Sequence, residues 1–268
     1  MESLIVQDWK MFAPVRIGGR KRYAHLDTGS TGNMVVASGD EAWEVVEQRT
    51  MRGAMGERQV EEVRLRQVEF LGQEVEETTA IVFDGNRYFG DVPFPVEMTL
   101  GANLLLSRPL ILDFKRLWLG YASSPVREDL ASYAMESAAG LPLIELRIGE
   151  RRLWTLLDTG AAYSLLNAAH EAELGLELEE VYRLEGQDPT GQRSWIPVHE
   201  LDGVRLGEVA LGKMEIVRVD LGIIEERLGR RVDFVLGANA LIRSGLVWVL
   251  DRERARVYVS ERTVEVCG

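Results

Sequence analysis

The chain has 268 residues and is 46% hydrophobic, enough for two domains or one large one with substantial cores. Its formal net charge of −12 argues against nucleic acid and anionic membrane as partners. A single cysteine, Cys267, forms no internal disulfide, no run approaches a membrane span, and Met1–Asp8 lacks the basic and apolar regions of a signal peptide, so a reduced, cytoplasmic protein is expected.

In chain order, Val15-Arg16-Ile17-Gly18-Gly19-Arg20 reads as a strand, a tight glycine turn and a second strand. That second strand runs through Tyr23-Ala24-His25-Leu26 into Asp27-Thr28-Gly29-Ser30. A short strand at Met34-Val35-Val36 follows, and then a helix is expected near Asp40–Gln48, capped by Ser38 or Asp40. Arg52–Arg58 is polar and punctuated by glycine, as a hairpin tip is. Val63, Leu65, Val68 and Phe70 mark alternating strands. The half closes on Leu100-Gly101-Ala102-Asn103-Leu104-Leu105 and Ile111-Leu112-Asp113-Phe114. Ala122–Gly140 reads as a linker helix, with Ser124 as cap, Pro125 in the first turn, and Val126, Leu130 and Ala134 on one face.

The same order then recurs 131 residues on. Leu146-Arg147-Ile148-Gly149-Glu150-Arg151 repeats the hairpin, and Leu153-Trp154-Thr155-Leu156-Leu157 runs into Asp158-Thr159-Gly160-Ala161. Ser164-Leu165-Leu166 leads to Asn167, which caps an expected helix Ala168–Leu174 stopped by Gly175. Gly186–Arg193 is a second hairpin tip, and Val204, Leu206, Val209 and Leu211 alternate as before. Leu236-Gly237-Ala238-Asn239-Ala240-Leu241, continuing to Trp248-Val249-Leu250-Asp251, closes the half. The expected architecture is mainly β: two similar β-rich lobes with a cleft between them and a few short helices. The lobes span 1–121 and 141–268, joined by 122–140.

One Asp-Thr-Gly is ordinary turn chemistry. Two copies, each with a matching apolar-Gly-x-Asn segment downstream, need another explanation. Over nearly its whole length the chain resembles the aspartic peptidases of the retroviral-like (retropepsin) branch, as a single-chain fusion of two lobes. The resemblance rests on Leu26-Asp27-Thr28-Gly29-Ser30, Leu157-Asp158-Thr159-Gly160-Ala161, Leu100-Gly101-Ala102-Asn103 and Leu236-Gly237-Ala238-Asn239, with the flap-like segments between. The chain departs from retroviral sequences where these carry an acid after the first motif and an arginine in the second: here stand Thr31 and Ala162, and Ala102 and Ala238.

The resemblance implies an aspartic endopeptidase acting on a peptide or protein substrate, with Asp27 and Asp158 as the catalytic pair. Two close carboxylates share one proton, so one serves as acid and the other as base, without metal or other cofactor. It further implies that Thr28 and Thr159 tie the two loops together, that Gly29 and Gly160 avoid crowding, and that Gly101 and Gly237 let a strand pass beneath them. Ser30 is expected to donate to Asp27 and make it the more readily ionised member; Ala161 cannot do this for Asp158. Strand alternation puts His25 and Leu156 on the faces of the two aspartates, as candidate substrate contacts. Met55 and Gly191 at the hairpin tips, and Trp195 just past the second, are further candidates. His170 and His199 are expected at the surface, and three scattered histidines give no zinc constellation. With both halves in one chain, a monomer suffices. A non-catalytic peptide-binding clamp and a protease that processes only itself are the alternatives.

Overall fold

A computed structural model describes residues 2–37, 43–53, 56–83, 89, 92–122, 130–176, 178–187 and 193–261. Its first half runs β1 (Glu2–Ser3), β2 (Ile5–Gln7), β3 (Lys10–Ile17), β4 (Arg20–Asp27), β5 (Asn33–Val36), β6 (Glu44–Gly53), β7 (Gly56–Phe70), β8 (Gln73–Phe83) and β9 (Val96–Gly101). Helix α1 (Ala102–Leu105), β10 (Leu110–Asp113) and β11 (Trp118–Tyr121) complete it. The second half begins with β12 (Ala131–Ala138), β13 (Leu141–Ile148), β14 (Arg151–Leu157), β15 (Ser164–Asn167), α2 (Glu171–Leu174), β16 (Glu180–Gln187) and β17 (Arg193–Leu201). It continues through β18 (Val204–Leu206), β19 (Val209–Ala210), β20 (Met214–Val219), α3 (Gly222–Leu228), β21 (Phe234–Leu236), α4 (Ala238–Ser244), β22 (Val247–Asp251) and β23 (Arg256–Ser260).

Each half uses the same weave. In the first, β9 lies between β4, to which it is parallel, and β5, to which it is antiparallel; β5 in turn pairs parallel with β8. In the second, β21 lies in the same way between β14 and β15, and β15 pairs parallel with β20. Each half therefore brings the end of its aspartate strand beside its glycine motif: Asp27 faces Gly101, and Leu157 faces Leu236. A Cβ on Gly101 would sit 2.3 Å from the Gly32 carbonyl oxygen, and one on Gly237 would sit 2.6 Å from the Tyr163 carbonyl. Only glycine lets these strands run directly beneath the aspartate loops.

The halves join through one antiparallel sheet, in which β10 pairs with β22 from Leu110↔Leu250 to Asp113↔Val247. The two strands are flanked by β11 and β23 and then by β1 and β12. The outer strands also match across the repeat: the Leu4 N–H donates to the Leu117 carbonyl, and the Met135 N–H to the Ala255 carbonyl. The largest apolar core draws residues from both halves, from Leu4 to Val259.

Two expected helices are strands. The stretch expected as Asp40–Gln48 lies within β6 from Glu44 onward, because pairing with β7 through Gly53↔Gly56 outweighs a weak local preference; residues 38–42 lie outside the described residues. The expected linker helix is β12 over residues 131–138, the second copy of Glu2–Gln7. Asp8 (φ 49°) recurs 131 residues later as Ala139 (φ 48°), so the second repeat has already begun there. Residues 123–129 lie outside the described residues. Helix α2 is shorter than expected. It starts at Glu171 after a turn in which Asn167 Oδ1 accepts from the Ala169 N–H, and it ends at Gly175, whose φ is 56°.

The repeated asparagines are not equivalent. Asn239 is fully buried: its Oδ1 accepts from the Ser164 N–H (2.9 Å) and Oγ (3.0 Å), and its Nδ2 donates to the Glu215 carbonyl (2.7 Å). Asn103 is exposed. Its place is taken by Asn33, which occupies the position of Ser164 and is 1% exposed. Asn33 Oδ1 accepts from the Gly101 N–H (3.1 Å), as Ser164 Oγ does from the Gly237 N–H (3.0 Å), and Asn33 Nδ2 donates to the Thr79 carbonyl (3.1 Å). Replacing Asn239 with Ala should cost about 1–3 kcal/mol in denaturant unfolding, because buried partners are orphaned. Asn103→Ala should stay within about 0.5 kcal/mol of the parent; equal losses would overturn this assignment.

Candidate active site

The two aspartate loops are locked by four reciprocal hydrogen bonds. Thr28 Oγ1 donates to the Leu157 carbonyl (2.7 Å), and Thr159 Oγ1 donates to the Leu26 carbonyl (2.9 Å). The Thr28 N–H donates to Thr159 Oγ1 and the Thr159 N–H to Thr28 Oγ1, each at 3.0 Å. Both threonines are 1% exposed or less. Each bond nets about 0.5–1.5 kcal/mol, and losing one hydroxyl costs more, because it strands buried donors and a carbonyl.

This lock presses each carboxyl against the other loop's glycine. A Cβ on Gly29 would meet the Asp158 carboxyl carbon at 2.2 Å, and one on Gly160 would meet that of Asp27 at 2.4 Å. Each carboxyl thus lies against the loop that carries the other. Asp158 Oδ1 also accepts from the Gly160 (2.8 Å) and Ala161 (3.2 Å) N–H groups.

Burial raises the proton affinity of both, and at Asp27 the neighbouring Asp158 charge raises it further, well above the usual carboxylate range. At Asp158 the Gly160 and Ala161 N–H groups oppose the rise. At Asp27 the Gly29 and Ser30 N–H groups oppose it likewise, and the side-chain donation expected from Ser30 is not made. The reason is local: Ser30 Oγ donates to the Gly32 carbonyl (2.8 Å), not to Asp27.

The candidate substrate contacts fare differently. His25 is fully buried among Phe12 and Phe89, each ring 5.5 Å away, with its proton affinity pushed down to about 3 by burial and then by Lys10. Leu156 is 1% exposed within the main core. Both are packing residues, because the strand face that carries each aspartate turns inward two residues earlier. Met55 and Gly191 lie outside the described residues. Trp195 is 70% exposed on β17, opposite Glu185.

His199 is 4% exposed, and His170 is tied to Asp233 through Nδ1 (3.0 Å), so neither is a free surface group. Among the described residues, no group of three His, Cys, Asp or Glu side chains is arranged to hold a metal ion, and no helix is long and apolar enough to cross a membrane. Asn33 was missed from the sequence, although the repeat offset that aligns Asp27 with Asp158 also sets it on Ser164. Also missed was Arg227, whose Nη2 donates to Thr31 Oγ1 across the two halves.

A family model described as aspartyl protease matches residues 13–104 and 144–240. No curated protein matches. Among solved structures the chain is similar to conglutin gamma, a basic 7S globulin from lupine seeds, with a TM-score of 0.51 at 14% identity over 98% of this chain and 94% of that one. At that identity the likeness is one of fold, and the fold is bilobal, mainly β and acid-protease-like.

The raised proton affinity of Asp27 has a consequence for stability. Below its ordinary value near 3.9 the side chain is protonated folded and unfolded; above that value the unfolded chain ionises while the folded pair resists. The favourable contribution is thus present at low pH and lost as pH rises through the folded value. Asp27→Asn, a permanent mimic of the protonated acid, should melt higher than the parent at pH 7, with the difference closing by about pH 4. Thermal melts across pH 3.5–8 measure this, and a difference that grows toward low pH would contradict it.

Proposed function

Given that the chain belongs to the aspartyl protease family, we propose that it is an aspartic endopeptidase of the retroviral-like kind, fused into one chain, with Asp27 and Asp158 as its catalytic pair. The observation that carries this reading is the seating of each carboxyl against the other loop's glycine, held by the threonine lock. In this reading Asp158, whose Oδ1 accepts from the Gly160 and Ala161 N–H groups, is the base, and Asp27 is the acid.

A water between the carboxyls loses one proton to Asp158, and its oxygen forms a bond to the peptide carbonyl carbon. Asp27 passes its proton to the carbonyl oxygen, which gives a neutral tetrahedral diol. In collapse, Asp158 returns its proton to the amide nitrogen, the C–N bond breaks, and one diol hydroxyl gives its proton back to Asp27. The protonation state of the pair is restored. Each positioned proton transfer is worth on the order of 10²–10⁴-fold.

The substrate lies extended between the two lobes, the second of which includes β12, under hairpins β6–β7 and β16–β17. Backbone pairing supplies affinity and alternate side chains supply selection. Both carboxyls come from one chain, so a monomer suffices. The lone cysteine in 268 residues fits a reduced, cytoplasmic setting.

Asp27→Asn and Asp158→Asn should each lower cleavage of a peptide library, read by mass spectrometry, by about 10²-fold or more while peptide binding persists. Parent-like cleavage by either variant would remove the pair from the mechanism.

A further inference from the structure

The two approaches to the carboxyl pair differ in charge. After the first motif the chain reads Thr31-Gly32; at the matching positions after the second it reads Ala162-Tyr163. On the second side Tyr163 fills the space, its hydroxyl 3.3 Å from that of Tyr182, which donates to Glu215 (3.0 Å). On the first side Gly32 leaves the space open, with nothing within 4 Å of where a Cβ would lie. At the neighbouring Thr31 stands Arg227, carried from the other half by α3 and donating to Thr31 Oγ1.

Arg227 stands apart from its neighbours. Arg218 pairs with Glu171, Arg230 with Glu136, Arg231 with Asp233, and Arg243 with Glu215. Among the described residues Arg227 has no carboxylate partner, and its contact is a neutral hydroxyl. No acid stands three or four places before it on α3, where Ile223 and Ile224 lie, and α3 ends one residue after it. Ile223, one turn earlier on the same face, is 45% exposed. The guanidinium is exposed, in a chain of net charge −12.

The spacing sets what Arg227 can reach. The Ser30 N–H donates to the Asp27 carbonyl (3.3 Å), which closes a turn, so Thr31 Cα lies within about 11 Å of Asp27 Cα. An extended peptide advances about 3.3 Å per residue. At that range Arg227 can reach a substrate side chain up to about three places from the scissile bond.

We propose that Arg227 is a specificity-determining residue that binds a carboxylate side chain of the substrate, on one side of the scissile bond only. Ile223 favours an apolar side chain two places along on the same peptide face. The preferred substrates are thus peptides with an Asp or Glu up to about three residues from the cleaved bond on one side and no such requirement on the other. Thr31 and Gly32 serve this by tethering the guanidinium from below and leaving room for the incoming side chain. The inference rests on the peptidase reading for the position of the scissile bond.

The test uses the full-length chain in two arms. Asp27→Asn, alone and combined with Arg227→Met or Arg227→Glu, is titrated by fluorescence anisotropy with peptides that differ by Glu→Gln at one position at a time. The catalytically intact chain, with the same Arg227 substitutions, is read on the same peptides by mass spectrometry. Expected is a Glu-over-Gln preference of about 10-fold at one position, weakened by added salt. Arg227→Met should lose it, and Arg227→Glu should replace it with a preference for Lys. Arg227 is exposed, so both variants should melt with the parent. No preference for Glu at any position, or one that survives Arg227→Met, overturns the proposal. An Arg227-dependent preference in binding with no cleavage by the intact chain keeps the carboxylate-binding role of Arg227 and removes the peptidase reading instead.

Discussion

Everything at the centre of this molecule depends on the reciprocal threonine lock. Two carboxyl groups pressed together repel as soon as both ionise, and at a few ångströms in a poorly solvated site that repulsion is large. What opposes separation is the pair of loops beneath them, where each hydroxyl accepts from one N–H and donates to one carbonyl of the opposite half. All four bonds cross between halves, so neither loop reaches its full bonding without the other. The glycines that follow complete the constraint, since a methyl at either would fall inside the opposing carboxyl.

The lock is one connection between the halves, and the sheet that runs through β10 and β22 is another. They act at different ranges. The sheet and the shared core fix the orientation of the halves, and the lock then sets the last few ångströms between carboxyls. The side chains supporting each loop have diverged where only the bond had to be kept. In the first half Asn33 reaches both the glycine N–H and the outer strand carbonyl by itself. In the second, Ser164 takes the glycine and Asn239 takes the carbonyl. The same two backbone groups are satisfied from different positions, which leaves Asn103 free to face solvent.

This divergence explains what the sequence disclosed and what it concealed. The duplication was legible because Asp-Thr-Gly and the downstream glycine are fixed by contacts that tolerate no substitute. Strand alternation in β7 and β18 was legible for the same reason: one face is buried. The strand at Glu44–Gly53 was hidden because it is an edge, with Val45 51% and Val46 46% exposed, and its pairing with β7 leaves little apolar pattern to read. The strand at Ala131–Ala138 was hidden because its counterpart, Glu2–Gln7, forms two short strands and shares no residue with it at the 131-residue offset. The sequence placed His25 on the right face but at the wrong depth, since Phe12 and Phe89 enclose it and Phe89 is distant in the chain. Ser30 misled for a different reason: a hydroxyl that can bond its own loop two residues on does so before it reaches a carboxylate.

Fusion into one chain changes what the carboxyl pair can be. In a symmetric pair of identical lobes the two acids are equivalent, and the shared proton has no preferred side. Here the surroundings differ at every step outward from the pair: Ser30 against Ala161, Thr31 against Ala162, Gly32 against Tyr163. Burial acts on both acids, and backbone donors oppose it at both. The difference between the two sides therefore lies in the residues around the pair. For the proposed chemistry this means that an extended peptide meets a site with a direction. The unequal approaches, cationic on one side and aromatic on the other, then give that direction a means of selecting which way round the peptide lies.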